Sequence, residues 1–150
     1  MKRFQFRLER ILSLKEQRER QAELQQQKAR AIWEQIRVEC LNLEEQLAQT
    51  ATSTSQRLRE AAALGTWRAY FERAAHFGEL LRAAQRRLAE AEKLLQEANR
   101  LRIQAAQEVE TLRALRTNEW HNYRREAARR QQDRLDELGL QRWLAAQKRE

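Results

Sequence analysis

The chain contains no proline, and its only glycines among 150 residues are Gly65, Gly78 and Gly139. Proline and glycine are the least favourable residues in a helix interior, so the uninterrupted stretches 1–64 and 79–138 predict two long helices. A helix of about 60 residues is roughly 90 Å long, because each residue adds about 1.5 Å. The sequence therefore predicts an all-α protein built as a long rod rather than around a compact core.

Apolar side chains recur in both stretches with alternating steps of three and four residues, which is the heptad repeat of a coiled coil. In the first stretch the seam consists of Trp33, Ile36, Cys40, Leu43, Leu47, Thr50 and Thr54. In the second stretch it consists of Phe77, Leu81, Ala84, Leu88, Ala91, Leu95 and Ala98. Beyond Ala98 we expect the seam to continue through Leu101, Ala105, Val109 and Leu112, with a stutter where two steps of four follow each other.

If the chain folds back on itself, the residue numbers of facing pairs have a constant sum, and a sum of 131 aligns the two seams. This register sets Trp33 opposite Ala98 and Leu47 opposite Ala84, so that large side chains meet small ones. It also puts the reversal at Gly65, where a glycine can end one helix and the following threonine can cap the next. A shift of seven residues satisfies the repeat as well, but it moves the reversal away from Gly65.

The predicted architecture is a single two-helix antiparallel coiled-coil hairpin over residues 1–150, with a helix over 3–63 and a turn at 64–66. The second helix is expected over 77–138, followed by a tail over 139–150. A short separate helix within 56–76, carrying Trp67, Tyr70 and Phe71, is the alternative to the turn. The serine and threonine run at 50–55 predicts a kink or another turn, because its hydroxyls compete for backbone hydrogen bonds.

Three further features are expected toward the chain termini. The stretch 15–30 has few apolar seam residues, which predicts that this part of the hairpin is pliable. An aromatic cluster of Phe4, Phe6, Trp120 and Tyr123 is expected to clamp the open end. Leu140, Trp143 and Leu144 form a small apolar face that is either a docking surface or part of a frayed tail.

The net charge of +8 is unevenly distributed along the chain. Residues 1–37 hold ten lysines and arginines against five acids, residues 38–112 hold ten against eleven, and residues 113–150 hold ten against six. An antiparallel hairpin would gather both basic ends into one pole. Such a pole suits nucleic acid, an anionic membrane surface or an acidic protein cavity. Its basic residues alternate with glutamate and glutamine rather than forming a block, which disfavours the first two.

The usual signals of enzymes and metal proteins are missing from the sequence. Three isolated glycines cannot form a phosphate-binding loop, and His76, His121 and Cys40 do not have metal-ligand spacing. Cys40 occupies a seam position, which favours a packing role over a nucleophilic one. We therefore expect no enzymatic activity, no cofactor and no small-molecule substrate. There is no apolar run of about 18 residues and no signal-peptide pattern, so a cytoplasmic protein is expected.

Two segments resemble the flagellar FliJ family. Residues 4–16 read FQFRLERILSLKE, similar to the F-x-F-R-L-x-x-x-L-x-L-+-E pattern that opens the first helix of that family. Residues 131–138 read QQDRLDEL, similar to the family's ending. Because both segments lie at the expected ends of a chain of the expected length, the resemblance covers the whole protein.

The resemblance implies the central stalk of a flagellar type III export apparatus, similar to the rotor stalk of rotary ATPases and peripheral at the inner membrane. Implied partners are a hexameric export ATPase and its regulator, the cytoplasmic domain of the export gate, and export chaperones. Residues implied to face the ATPase ring are Arg3, Phe6, Arg7, Arg10, Arg124, Arg125, Arg129 and Arg130. Residues implied to contact the gate are Trp33, Leu43, Leu47, Trp67, Tyr70, Phe71, Phe77, Leu81 and Ala84.

Other interpretations of the sequence stay open at this point. The gate set largely coincides with the seam, and packing of the hairpin explains those residues better than partner contact does. The chain also fits a structural coiled-coil spacer or peripheral stalk, and, less well, a basic helical nucleic-acid binder. The sequence does not distinguish a flagellar system from a related injectisome.

Overall fold

The computed structural model describes residues 3–59 and 64–147, except for the side chains of Leu58 and Thr66. Helix α1 spans Glu9–Arg59 and helix α2 spans Leu64–Gln147, and the described residues contain no strand. The two helices pack against each other, which confirms the predicted all-α helical hairpin.

The first helix begins later than predicted, at Glu9 instead of residue 3. The backbone amide of Glu9 donates to the Phe6 carbonyl at 3.3 Å, and Phe6 packs in the same cluster as Leu12. An apolar residue just before a helix that packs on the helix's first turn fixes the angle at which the chain enters. The preceding residues 3–8 are therefore held against the helix without being part of it.

Helix α1 ends at Arg59 and helix α2 already begins at Leu64, so the prediction of a turn at 64–66 is wrong. Gly65 lies inside α2, where a Cβ atom added to it would meet nothing within 4 Å. The alternative of a separate short helix is also wrong, because 64–76 is the first part of α2. The residues that join the helices, 60–63, are outside the described part of the chain. Helix α2 also continues through the predicted tail as far as Gln147.

The serine and threonine run at 50–55 is helical, so it does not form the alternative turn. The hydroxyl of Thr50 donates to the Gln46 carbonyl at 2.8 Å, and that of Thr54 donates to the Thr50 carbonyl at 2.7 Å. Thr52, Ser53 and Ser55 bond in the same way. Each hydroxyl thus donates its hydrogen bond to a carbonyl of the preceding helical turn, which lets these residues remain within the helix.

The chain divides into two compact units. The first, here called the terminal unit, combines Met1–Glu19 with Ala105–Glu150, and the second, here called the turn unit, is Arg20–Gln104. Each unit contains a segment of both helices.

The core of the turn unit is the predicted seam. All seven residues of each seam, from Trp33 to Thr54 and from Phe77 to Ala98, are buried or half-buried. The most enclosed members are Cys40, Ala84 and Ala91, which are 5%, 0% and 4% exposed. Two helices bury only one stripe each, so most layers remain partly open and contribute less than the 1.5–3 kcal/mol that a fully buried leucine supplies.

The register of the two helices differs from the predicted one. The amide of Gln26 donates to Asn99 at 2.6 Å, and Arg87 pairs with Glu39. With the seam positions, these pairs fit a constant sum of 124 rather than 131. Cys40 then lies opposite Ala84, and Trp33 opposite Ala91. The prediction was wrong by one heptad, because a sum of 131 would have placed Glu39 opposite a like charge, Glu92.

The predicted stutter after Ala98 is absent. Leu101 is 44% exposed, while Arg102 is half-buried at the seam. The seam then continues through Ala105, Val109 and Leu112 with the regular steps of three and four. Arginine can occupy such a position because its aliphatic stem packs while its guanidinium extends outward. Its Nε is nevertheless buried without a hydrogen-bond partner.

The terminal unit has its own small core. Phe6, Leu12 and Val109 are 7%, 3% and 1% exposed and form one cluster, with Phe4, Leu8 and Leu112 packed against it. Ion pairs connect the helices around this core, namely Lys15 with Glu108, Glu16 with Arg113 and Glu9 with Arg116. The pairs Lys15–Glu108 and Glu9–Arg116 have sums of 123 and 125, close to 124, whereas Glu16 and Arg113 have a sum of 129.

Candidate functional site

Unpaired arginines are the main feature of the terminal unit's surface. Arg124, Arg125 and Arg129 on α2 are exposed and have no ion-pair partner in the described part of the chain, while Arg130 pairs with Glu126 at 3.6 Å. Arg3, Arg7 and Arg10 are also exposed, and they have no ion-pair partner among the residues that the structure describes. The structure shows these two groups in one unit, but it records no contact between them.

Four of the described acids of this unit are engaged by cations, three of them between the helices. Glu9, Glu16 and Glu108 form ion pairs between the helices, and the Glu16 hydrogen bond raises the pKa of Arg113 above its usual value. These carboxylates therefore compensate Arg116, Arg113 and Lys15 rather than the arginines predicted to bind a ring. The unpaired guanidiniums keep their full capacity to bind an acidic partner.

Phe6 differs from the other residues implied to face the ring. Its side chain is only 7% exposed and packs with Leu12 and Val109. A residue with so little surface holds the N-terminal segment in place and offers almost nothing to a partner.

The predicted aromatic cluster is present, with Phe4, Trp120 and Tyr123 as its members. Phe4 lies edge-on to Trp120 at a centroid distance of 5.1 Å and at 5.6 Å from Tyr123. Trp120 stacks on Tyr123 at 5.8 Å. Phe6 belongs to the core cluster instead. The aromatic rings tie the N-terminal segment to α2, which is the clamp that the sequence predicts.

The last part of α2 presents a long free surface. All residues from 128 to 147 are exposed. The large apolar side chains among them are Leu135, Leu138, Leu140, Trp143 and Leu144. A single helix with this many exposed apolar side chains is typical of a segment that binds a partner.

In the turn unit, the residues implied to contact the gate fall into two groups. Trp33, Leu43, Leu47, Phe77 and Leu81 are half-buried members of the seam, and Ala84 is completely buried. Burial of this kind explains these residues as packing between the helices.

The aromatic residues near the start of α2 form the second group. Phe71 is 61% exposed and stacks on Trp67 at 6.1 Å, and Tyr70 lies edge-on to Phe71 at 5.5 Å. Trp67 and Tyr70 are half-buried. Phe71 is therefore the implied gate residue with the most surface available for a partner.

A cavity beside these rings was not anticipated from the sequence. Its volume is about 210 Å³, and its lining includes Thr50, Thr54 and Arg57 from α1 with Tyr70 and Arg73 from α2. The apolar periodicity of the sequence identifies Arg57 and Arg73 only as residues outside the seam. The two arginines become a candidate site only because one residue of each helix lines the same cavity.

Cys40 lies at the tightest part of the turn-unit seam. Burial raises the pKa of the Cys40 thiol, and Glu39 and Glu44 add to the rise, while Arg87 opposes it. The thiol is therefore protonated near neutral pH, which is unfavourable for a nucleophile or a metal ligand. In the described ranges, no group of three or more histidine, cysteine, aspartate or glutamate side chains is placed to hold a metal ion.

No helix within residues 3–59 and 64–147 has a stretch long and apolar enough to cross a bilayer. The fold and these surfaces define an antiparallel two-helix coiled coil with exposed basic and apolar segments. A family model described as the flagellar FliJ protein matches residues 4–148, essentially the whole chain, and the protein belongs to that family. It is accordingly a component of the flagellar export apparatus. Comparison with curated proteins and with solved structures found no match.

Proposed function

We propose that the protein is the non-enzymatic central stalk of the flagellar export ATPase, inserting its terminal unit into the hexameric ring and promoting hydrolysis. The observation that carries this proposal is the free arginine surface of α2 in a member of the FliJ family. Arg124, Arg125 and Arg129 have no carboxylate partner in the described part of the chain, so their charge is available to an acidic ring lining.

The exposed end of α2 supports the same proposal. Insertion into a pore needs a segment whose whole circumference is free, and residues 128–147 are exposed on every face. The apolar side chains of this segment would be desolvated by the ring, which contributes to affinity, while the arginines give orientation and association rate.

The test mixes the full-length protein with the purified hexameric export ATPase and measures hydrolysis and ring formation. Replacing Arg124→Glu and Arg125→Glu together is expected to reduce stimulation at least about tenfold, because two attractive contacts become repulsive. The matched control is Arg82→Glu with Arg86→Glu, which makes the same change of charge on exposed residues of the turn unit. Equal loss with both variants, or no stimulation by the unmodified protein, would refute the proposal.

We further propose that the turn unit contacts the cytoplasmic domain of the export gate through Phe71, with Trp67 and Tyr70 supporting its ring. An exposed aromatic side chain on a rigid helix is a common centre of binding energy. Phe71→Ala should weaken co-purification with the gate domain, whereas Leu24→Ala, which is similarly exposed in the same unit, should not. A cytoplasmic position peripheral to the inner membrane, and contacts with the ATPase regulator and export chaperones, belong to the same proposal.

A further inference from the structure

The cavity between the helices of the turn unit has the chemistry of an anion site. Arg57 of α1 and Arg73 of α2 both line it, and none of the described residues of its lining is acidic. Neither arginine has an ion-pair partner within the described residues. The nearby Glu72 pairs instead with Arg68 at 3.1 Å, and Glu45 accepts a hydrogen bond from Gln49. Among the described residues, the two guanidiniums thus share a concave surface without a counter-charge.

The hydrogen-bonding state of the lining also favours an acceptor as ligand. Thr50, Ser53 and Thr54 already donate their hydroxyl hydrogens to backbone carbonyls. The remaining free donors are the two guanidiniums and the Tyr70 hydroxyl, which has no partner in the described ranges. A carboxylate can accept bonds from all three of these groups.

The cavity continues into a second one, so the combined groove is longer than a single small anion would need. A second cavity of about 380 Å³ shares Thr50, Ser53 and Arg73 with the first and extends to Gln49 and Phe77. Exposed Phe71 lies next to Tyr70 at the first cavity. The groove therefore offers two cationic positions with apolar and amide surface beside them, which suits an extended peptide that carries both carboxylates and an apolar side chain.

From these contacts we infer that the turn unit binds an acidic peptide segment, with its carboxylates between Arg57 and Arg73 and an apolar side chain against Phe71. The inference depends on the proposed function only for the identity of the protein that carries this segment. The chemistry of recognition can be tested without any flagellar partner.

The test measures fluorescence anisotropy of a short fluorescein-labelled peptide, rich in glutamate with a central leucine, as the full-length protein is added. The reference peptide has glutamine at every glutamate position. The glutamate peptide should bind, and its affinity for the protein should fall as the salt concentration rises. The Arg57→Glu, Arg73→Glu double variant should bind this peptide at least about tenfold more weakly than the unmodified protein does. The control variant with Arg82→Glu and Arg86→Glu carries the same net charge and should bind nearly as the unmodified protein does.

Several results would overturn the inference. If both double variants lost the same affinity for the glutamate peptide, the peptide would be attracted only by the net charge of the protein. If the glutamine peptide bound as tightly as the glutamate peptide, recognition of carboxylates would be excluded. Inorganic phosphate binding as tightly as the peptide would indicate a small-anion site, and binding to anionic vesicles without peptide binding would indicate a lipid site. ATPase stimulation is measured on the same variants, so that failure of peptide binding with intact stimulation removes this inference and leaves the stalk proposal standing.

Discussion

Cys40 illustrates how position decides chemistry at the scale of a single residue. The residue is 5% exposed and lies in the seam between the helices, where Ala84 is completely buried. The same burial that makes it a packing residue raises the pKa of the thiol and suppresses its reactivity. The sequence-based interpretation of Cys40 as a packing residue agrees with this environment.

The pH dependence of stability follows from the direction of this shift. Because the pKa of the folded Cys40 thiol lies above the unfolded value of 9.0, its contribution is complete below pH 9. The contribution decreases as the pH rises through the folded pKa, since the unfolded thiol ionises first. The urea concentration at the unfolding midpoint is therefore expected to fall above pH 9, and to fall more for the unmodified protein than for the Cys40→Ala variant.

The burial of Cys40 also predicts its reactivity. A thiol reagent at pH 8 should modify the native protein much more slowly than the urea-unfolded chain. Equal rates in the two states would contradict the burial.

Phe6 and Phe71 show what single residues could not reveal from sequence. Both are phenylalanines implied to bind partners, yet Phe6 is 7% exposed and Phe71 is 61% exposed. The difference arises because residues 3–8 fold against the first turn of α1, whereas Phe71 lies to one side of the seam on α2. Residue type alone carries no information about either circumstance.

At the scale of the helices, the choice of register is the main result. The apolar seam permits any shift of seven residues, and interhelical polar pairs select among these shifts. Glu39 with Arg87 and Gln26 with Asn99 satisfy the observed register. Gly65, which favoured the predicted register, is an ordinary helical position.

Disulfide cross-linking distinguishes the two registers directly. In a Cys40→Ser background, the variant with Leu43→Cys and Leu81→Cys should form an intramolecular disulfide rapidly, because these positions sum to 124. The matched variant with Leu43→Cys and Leu88→Cys separates the sulfurs by a further seven residues, about 10 Å along the helix, and should oxidise slowly. Oxidised monomers are identified by their mobility on non-reducing gels. Faster closure of the second pair would support the register that the sequence predicts.

Across the whole chain, polar and apolar seam layers are unevenly distributed. Residues 33–47 of α1 supply aromatic and aliphatic layers, whereas the seam positions of 15–30 include Lys15, Glu19 and Gln26. Polar pairs at a seam remove less apolar surface from water than leucine layers do. The sequence prediction that 15–30 is the more pliable stretch remains to be tested, and this distribution is consistent with it.

Hydrogen exchange of the intact protein provides that test. Amides in 16–30 are expected to exchange at least about tenfold faster than those in 33–47, which corresponds to about 1.4 kcal/mol in the free energy of local opening. Residues 84–95 of α2 serve as the internal reference, since they include the buried Ala84 and Ala91. Protection in 16–30 equal to that reference would disprove the expectation.

The sequence by itself determined the all-α class, the two helices and the residues of each turn-unit seam, because helix propensity and heptad spacing are local properties. It also identified the family through its two terminal segments. Only the tertiary structure decided the register, the position of the reversal and the pairing of charges, because these depend on which residues meet across the two helices. The same juxtaposition created the cavity between Arg57 and Arg73, which no pattern along a single helix contains.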